Sequence, residues 1–309
     1  MTAEILPSEQ NPRPPSERQI ARDISYASSA ETRSGQMVIR LMENALGRPS
    51  LIRRADGYAE DVRAGRDFWS VMVERYGLQL EYSAGSLQNI PAEGPVVVVA
   101  NHPYGILDGL ILGHMLQERR GDFRILANRV FRKASDLDRV ILPISFDETR
   151  EAVQTNVETR REALRYLREG GVMGVFPGGT VSTAATPFAH PMDPGWRGFT
   201  ARMIAKSEAA VVPVFFEGTT SRLFQLASHL HPTLRMGLLL KEFRSRIDGP
   251  VRVVVGEPIA REELRSRAGD TKAMMDFLRR ATYELSPMPL KSYAYGYEFE
   301  AKRRAEARA

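Results

Sequence analysis

From about residue 78 onward, the chain alternates short apolar runs with longer stretches whose apolar residues recur at helical spacing. Val96 to Val99 is an unbroken β-branched run, the pattern of a strand covered on both faces. Arg124 to Ala127, Val140 to Ile144, Val172 to Phe176, Val211 to Phe216 and Val251 to Val255 read as further strands. Helices are expected between and after them: Leu107 to Arg119, Arg150 to Glu169 with Gly170-Gly171 as its stop, and Thr271 to Leu285. Such alternation predicts an α/β fold, with a central, mostly parallel sheet flanked by helices. In sheets of this kind ligands sit beyond the carboxyl ends of the strands.

Before residue 78 the periodicity is helical, which predicts an N-terminal helical lead-in over residues 18–77. Val38, Leu41, Met42 and Ala45 fall on one helical stripe, and Val62, Phe68, Trp69, Met72, Val73 and Tyr76 do so more loosely. With Arg53 and Arg54 behind Leu51 and Ile52, the segment reads either as an amphipathic surface that touches a membrane or as helices packed on the core. The pattern divides the chain into a proline-rich disordered tail (1–17), the helical segment, a main α/β domain (78–290) and a charged C-terminal tail (291–309).

The 309 residues include no cysteine, which excludes disulfides, thiolate metal sites and a cysteine nucleophile. No apolar run approaches the ~20 residues of a spanning helix, and Met1 to Gln19 lacks the apolar core of a signal peptide. A water-soluble or peripherally membrane-bound protein is expected. The net charge of +5 suits an anionic partner, either nucleic acid or acidic lipid. The basic residues are dispersed among acids and no helix-turn-helix, finger or RNA-binding signature is present, so no nucleic-acid partner is expected.

Two loops carry the candidate chemistry. Asn101-His102-Pro103-Tyr104-Gly105-Ile106-Leu107-Asp108-Gly109 follows the Val96 strand directly. Pro103 and Gly105 favour a tight turn that brings Asp108, at the start of the next helix, back to the His102 ring. A carboxylate on one ring nitrogen fixes the tautomer and raises the basicity of the other, which is two-thirds of a triad without its nucleophile. Such a pair is suited to deprotonating a hydroxyl that belongs to the substrate. The competing reading is a histidine that caps a helix. The second loop, Phe176-Pro177-Gly178-Gly179-Thr180-Val181-Ser182-Thr183, offers backbone amides and hydroxyls to an oxyanion or a phosphate. Read alone it is also an ordinary glycine turn.

Together these loops resemble the glycerolipid acyltransferase superfamily, in the bacterial branch of the lyso-ornithine-lipid and hemolysin-related acyltransferases. Asn101, His102 and Asp108 match its first motif, with five residues between His and Asp where most members have four. Phe176, Pro177, Gly179 and Thr180 match a Phe-Pro-Glu-Gly-Thr motif in which Gly178 replaces the Glu. That Glu is tied to acceptor binding in family members, so its replacement bears on the acceptor more than on acyl transfer. Val211 to Val214, Glu217 to Phe224 and Val255 to Ile259 match later segments, and the likeness covers roughly residues 80–285.

The resemblance implies an O-acyltransferase of membrane lipid synthesis. His102 and Asp108 would be catalytic. Asn101, Pro177, Gly178, Gly179 and Thr180, with Arg129 or Arg132 beside Lys133 for an anionic headgroup, would bind substrate. It implies an acyl carrier protein or coenzyme A thioester as donor, a lyso-ornithine lipid or lysophospholipid as acceptor, no metal and no other cofactor. The expected place is the cytoplasm, peripheral on the inner face of the cell membrane against anionic lipid. The alternative is a non-catalytic lipid-binding protein. The stretch around His229 and His231, with Leu226, Leu230, Leu234, Met236, Leu238 to Leu240, Arg235 and Lys241, reads as a lipid-facing surface, an acyl-tunnel wall or plain core.

Overall fold

A computed structural model describes residues 25–30, 32–128, 135–145 and 149–299. The expected tail at 1–17 and the basic cluster Arg129, Arg132 and Lys133 lie outside the described residues. The strands are β1 (Gln79–Ala84), β2 (Val96–Ala100), β3 (Arg124–Asn128), β4 (Ile141–Ile144), β5 (Val172–Val175), β6 (Thr183–Ala184), β7 (Pro191–Met192), β8 (Ala210–Phe216) and β9 (Pro250–Val255). The helices are α1 (Arg33–Leu46), α2 (Arg48–Ala55), α3 (Tyr58–Arg63), α4 (Phe68–Arg75), α5 (Ile106–Arg120), α6 (Ser135–Asp138), α7 (Arg150–Arg168), α8 (Gly198–Ile204), α9 (Arg222–Leu230), α10 (Pro232–Arg244), α11 (Arg261–Arg265) and α12 (Thr271–Glu284).

Seven strands form one sheet in the order β1-β9-β8-β2-β5-β3-β4. All neighbours are parallel except β8 and β9, so β1 and β9 run against the other strands. The mostly parallel sheet is therefore present. The expected strands and the three expected helices appear within a residue or two of their anticipated ends.

The valine run shows why the sheet sits where it does. Val96 and Val98 pack on one face, with Trp69, Ile111, Met115 and Phe243; Val97 and Val99 pack on the other, with Leu167, Met203, Met275 and Leu278. Every residue of β2 is fully buried, as its lack of alternation predicts. β1 escapes that pattern because it is a half-exposed edge strand.

The helical lead-in is real but broken into four short helices, with α1 ending at Gly47 and α2 at Asp56. α4 and α10 join the apolar layer on one face of the sheet. On α1, Met42 and Leu46 face the cluster formed with α9 and α10. Val38 and Leu41 point outward, with 43% and 62% exposure. The anticipated stripe therefore does not all face one way.

α4 crosses α5 where Gly113 leaves room for the Trp69 indole: a Cβ on Gly113 would stand 2.2 Å from that ring. We expect Gly113→Ala to destabilise the fold by about 1–3 kcal/mol through overpacking, read as a lower midpoint in urea with an unchanged slope.

The segment expected as a charged C-terminal tail folds back in its first half. Gly296 and Tyr297 donate their amides to Asp193 O and Thr183 O, and Arg279 bonds to the carbonyls of Tyr293 and Ala294. Residues 300–309 are outside the described residues.

Candidate active site

The adjacent strands β2, β5, β3 and β4 border a single cavity, lined by His102 beyond β2, Val175 and Phe176 at the end of β5, and residues of β3 and β4, where the topology of an α/β sheet places ligands. His102 stands just beyond β2. Asp108 lies in the first turn of α5, fully buried, and its Oδ2 accepts the backbone N–H of Tyr104 (2.7 Å) and Gly105 (3.0 Å). Nδ1 of His102 lies 3.0 Å from the same oxygen, at hydrogen-bonding distance but with a bent N–H line. The other face of the pair is closed by Phe176, whose ring stacks on the imidazole at 4.3 Å between centroids.

Burial pushes the Asp108 carboxyl above the usual carboxylate range, while His102 and the two amides pull it back. Asp108 is thus a poor free anion but a good partner for an imidazolium. The imidazole is partly exposed, with Nδ1 turned to Asp108 and the ring lining the cavity. This leaves Nε2 as the nitrogen available to a ligand.

Asn101 does not reach the cavity. Its amide accepts from Phe216 N (2.7 Å) and donates to Phe216 O (2.9 Å), tying the end of β2 to the end of β8. Its role is to hold the strand ends that present His102, and the expectation that it binds substrate is corrected on that ground.

The glycine loop divides its work differently from what its sequence suggests. Pro177, Gly179 and Thr180 line the cavity. The Gly179 amide is already bonded to Phe176 O (3.0 Å), so it is not a free oxyanion donor. Gly178 turns away from the cavity: a Cβ there would stand 3.3 Å from the Asp193 carboxyl carbon. Thr180 supplies a hydroxyl at the wall and its amide has no partner among the described residues.

Asp193, which the sequence did not mark, is the carboxylate at the centre of this loop cluster. It is fully buried and accepts from the Ser182 hydroxyl, from His102 N (3.2 Å) and from Trp196 Nε1 (2.8 Å). Ser182 N in turn donates to His102 O (2.8 Å). The backbone of His102 is therefore clamped from both sides. The motif's Glu is absent where Asp193 already fills the space. Gly178→Glu would place a second carboxylate against Asp193; we expect it to lower thermal stability and solubility at neutral pH, with Gly178→Ala the milder of the two.

Tyr104 ties the His102 loop to the loop after β8. Tyr104 donates its hydroxyl to Glu217 O (3.0 Å), and Arg246 stacks on its ring at 4.4 Å. Gly218, at φ 100°, passes so close that a Cβ would collide with the Tyr104 hydroxyl. The Glu217-Gly218-Thr219 segment is thus shaped by the tyrosine of the His102 loop.

The cavity holds about 390 Å³ and is mostly apolar, with Trp69, Met72, Ile125, Leu126, Leu239 and Phe243 among its walls. Such a size is within the range of small-ligand pockets. Residues from α4 and α10 thus line the cavity: of the His229 region, Arg235, Met236 and Leu239 face it, while Leu238 and Leu240 are buried in the core. Leu223, Leu226 and Leu230 of α9 are exposed instead. Tyr26, from the segment before α1, also lines the cavity; its amide is pinned to Glu43 (2.6 Å) and burial pushes the pKa of its phenol above the usual value.

Comparison with known proteins adds the following. A family model described as acyltransferase matches residues 61–288. A lyso-glycine lipid O-acyltransferase of Phocaeicola vulgatus is 25% identical over 163 residues, which span 52% of this chain and 55% of that protein. The chain therefore aligns with about half the length of this curated relative. The crystal structure of a 1-acyl-sn-glycerophosphate acyltransferase, PlsC, of Thermotoga maritima aligns at a TM-score of 0.43 with 19% identity, covering 89% of each chain.

Proposed function

Because the chain belongs to that acyltransferase family, we propose that it moves a fatty acyl chain from an acyl thioester to the hydroxyl of a lyso-lipid, with His102 as general base. The single observation that carries the reading is His102, backed by the buried Asp108, in the wall of an apolar cavity, with no serine or cysteine nucleophile needed. In the step proposed, the acceptor oxygen attacks the thioester carbonyl while Nε2 of His102 takes its proton. Asp108 stabilises the imidazolium. The tetrahedral oxyanion is met by the Thr180 amide. The C–S bond then breaks, and the proton on His102 passes to the leaving thiolate. An ester and a free thiol are the products.

General base catalysis contributes roughly 10²–10⁴-fold, so orientation in the cavity and oxyanion binding must supply the remainder. The apolar walls suit the acyl chains of both substrates. The curated relative acts on a lyso-glycine lipid by its name, which supports a lyso-aminolipid as acceptor here, beside the lyso-ornithine and lysophospholipid candidates.

The donor is proposed to be an acyl carrier protein or coenzyme A thioester. The proposed place of work is the cytoplasmic face of a membrane, touched peripherally. Among the described residues no helix is long and apolar enough to cross one. Exposed Met37, Val38 and Leu41 on α1, with Leu223, Leu226 and Leu230 on α9, are apolar faces of the kind an interface accepts.

The test is acylation of a panel of lyso-lipids (glycine, ornithine and phosphate headgroups) with both donor types. Ester and thiol formed one for one from a particular acceptor support the reading. Tight binding of the lyso-lipids with no ester from any acceptor or donor would favour the lipid-binding alternative.

A further inference from the structure

α10 carries one arginine into the interior. Arg235 is only 5% exposed, and it lines the same cavity as His102 and Thr180. Its Nη1 donates to Thr183 Oγ1 (2.6 Å) and Ser228 Oγ (3.0 Å), and its Nη2 donates to Val181 O (2.8 Å) and Thr180 Oγ1 (3.0 Å). The rings of Phe224 and Phe299 lie over the guanidinium at 4.9 and 4.2 Å. Every one of these partners is neutral. Among the described residues no carboxylate comes within ion-pair distance of Arg235; of the buried carboxylates near the site, Asp108 and Glu242 have His102 and Lys241 beside them, and Asp193 is held by neutral donors.

A buried cation without a counter-charge is costly, and neutral hydrogen bonds and ring faces offset the loss of water only in part. Burial draws the guanidinium pKa down to about 9, with only Tyr26 opposing. The four Nη hydrogens are held by neutral acceptors, of which Thr180 Oγ1 stands at the cavity wall, so an anion brought there supplies charge that none of the present partners carries. The Thr180 hydroxyl strengthens the case. Since Thr180 Oγ1 accepts from Arg235, its own O–H is directed elsewhere, and Thr180 lines the cavity.

We propose that Arg235 and Thr180 form the acceptor's headgroup site, taking the carboxylate or phosphate of the lyso-lipid whose hydroxyl is presented to His102. The inference rests on the acyl-transfer reading and deepens it by naming the charge class of the acceptor. An anion there supplies the missing counter-charge to Arg235 while the acyl chain lies along the apolar walls. The donor's apolar chain has nothing to give this site, and an uncharged lyso-lipid leaves the cation unpaired.

The test is equilibrium binding without any donor, by calorimetry, so that it stands apart from turnover. The probes are short-chain forms, kept below micelle formation, of a monoacylated glycine lipid, its glycine methyl ester and lysophosphatidic acid. Wild-type protein should bind the better of the two anions about 100-fold more tightly than the methyl ester. Which anion wins separates a carboxylate headgroup from a phosphate. Arg235→Gln should erase the preference over the ester while leaving ester affinity within a few-fold, and Arg235→Lys should keep part of it. In turnover, Arg235→Gln should raise the acceptor KM and leave the donor KM unchanged.

Equal affinity of the wild-type protein for acids and ester overturns the proposal, even where the Arg235 variants fail to fold. So does a KM effect that falls on the donor. Anion-selective binding that depends on Arg235, in a protein that makes no ester, upholds the headgroup site and overturns the acyl-transfer reading.

Discussion

His102→Ala is expected to lower kcat for ester formation by about 10³–10⁴-fold while the far-ultraviolet circular dichroism and thermal midpoint stay close to wild type. The magnitude is that of losing a general base. The fold should tolerate the change, because the ring lies at the cavity wall and its clamps to Ser182 and Asp193 run through backbone atoms. What the variant loses in packing is one ring face against Phe176. Acceptor binding, measured without donor, should change little. A parallel fall in stability would mean that the imidazole is a structural element, and the kinetic loss would then say nothing about proton transfer.

Asp108→Asn gives the second large effect, and its cause is a lost charge. The amide oxygen of Asn can take the place of Oδ2, keeping the Tyr104 and Gly105 bonds and the approach of His102 Nδ1. No carboxylate then stands beside the imidazolium that forms as Nε2 takes the acceptor's proton. A loss of about 10²–10⁴-fold in kcat is expected, on the scale of a disabled general base.

Stability should move the other way with pH. The folded Asp108 carboxyl titrates above its unfolded value because of burial. Its contribution to stability is therefore fully present below the unfolded carboxyl range and is lost as pH rises through the folded value. Asn carries no such penalty. Relative to wild type, the variant should gain stability from acid toward neutral pH and be at least as stable near neutrality. Denaturant midpoints across that range, set beside activity, separate the electrostatic cost of the residue from its catalytic use.

The sheet was legible in the sequence because its central strands are buried on both faces and so appear as unbroken apolar runs, the Val96 run above all. β1 was not, since an edge strand with alternating exposure gives no such run. α10 was visible only as an apolar stretch, because it packs on both the core and the cavity and shows no single face.

In the site, the His102 and Asp108 pair was readable from a tight turn at the end of a buried strand. Asp193 and Arg235 were not. Most of their partners lie 11 to 91 positions away in the chain, and local pattern carries no trace of such contacts. The one available hint for Arg235 was a lone charge within an apolar helix. The glycine loop shows the limit of motif reading: Gly178 and Gly179 fit the pattern, but one packs on Asp193 and the other spends its amide in a turn.

The most direct measurement of the central claim is mass spectrometry of the product made from an acceptor whose hydroxyl carries isotopically labelled oxygen, with wild-type protein and His102→Ala side by side. The account predicts that wild type forms an ester retaining the label, with one thiol released per ester, and that the variant forms almost none. An ester without the label, or equal turnover by His102→Ala, would contradict it.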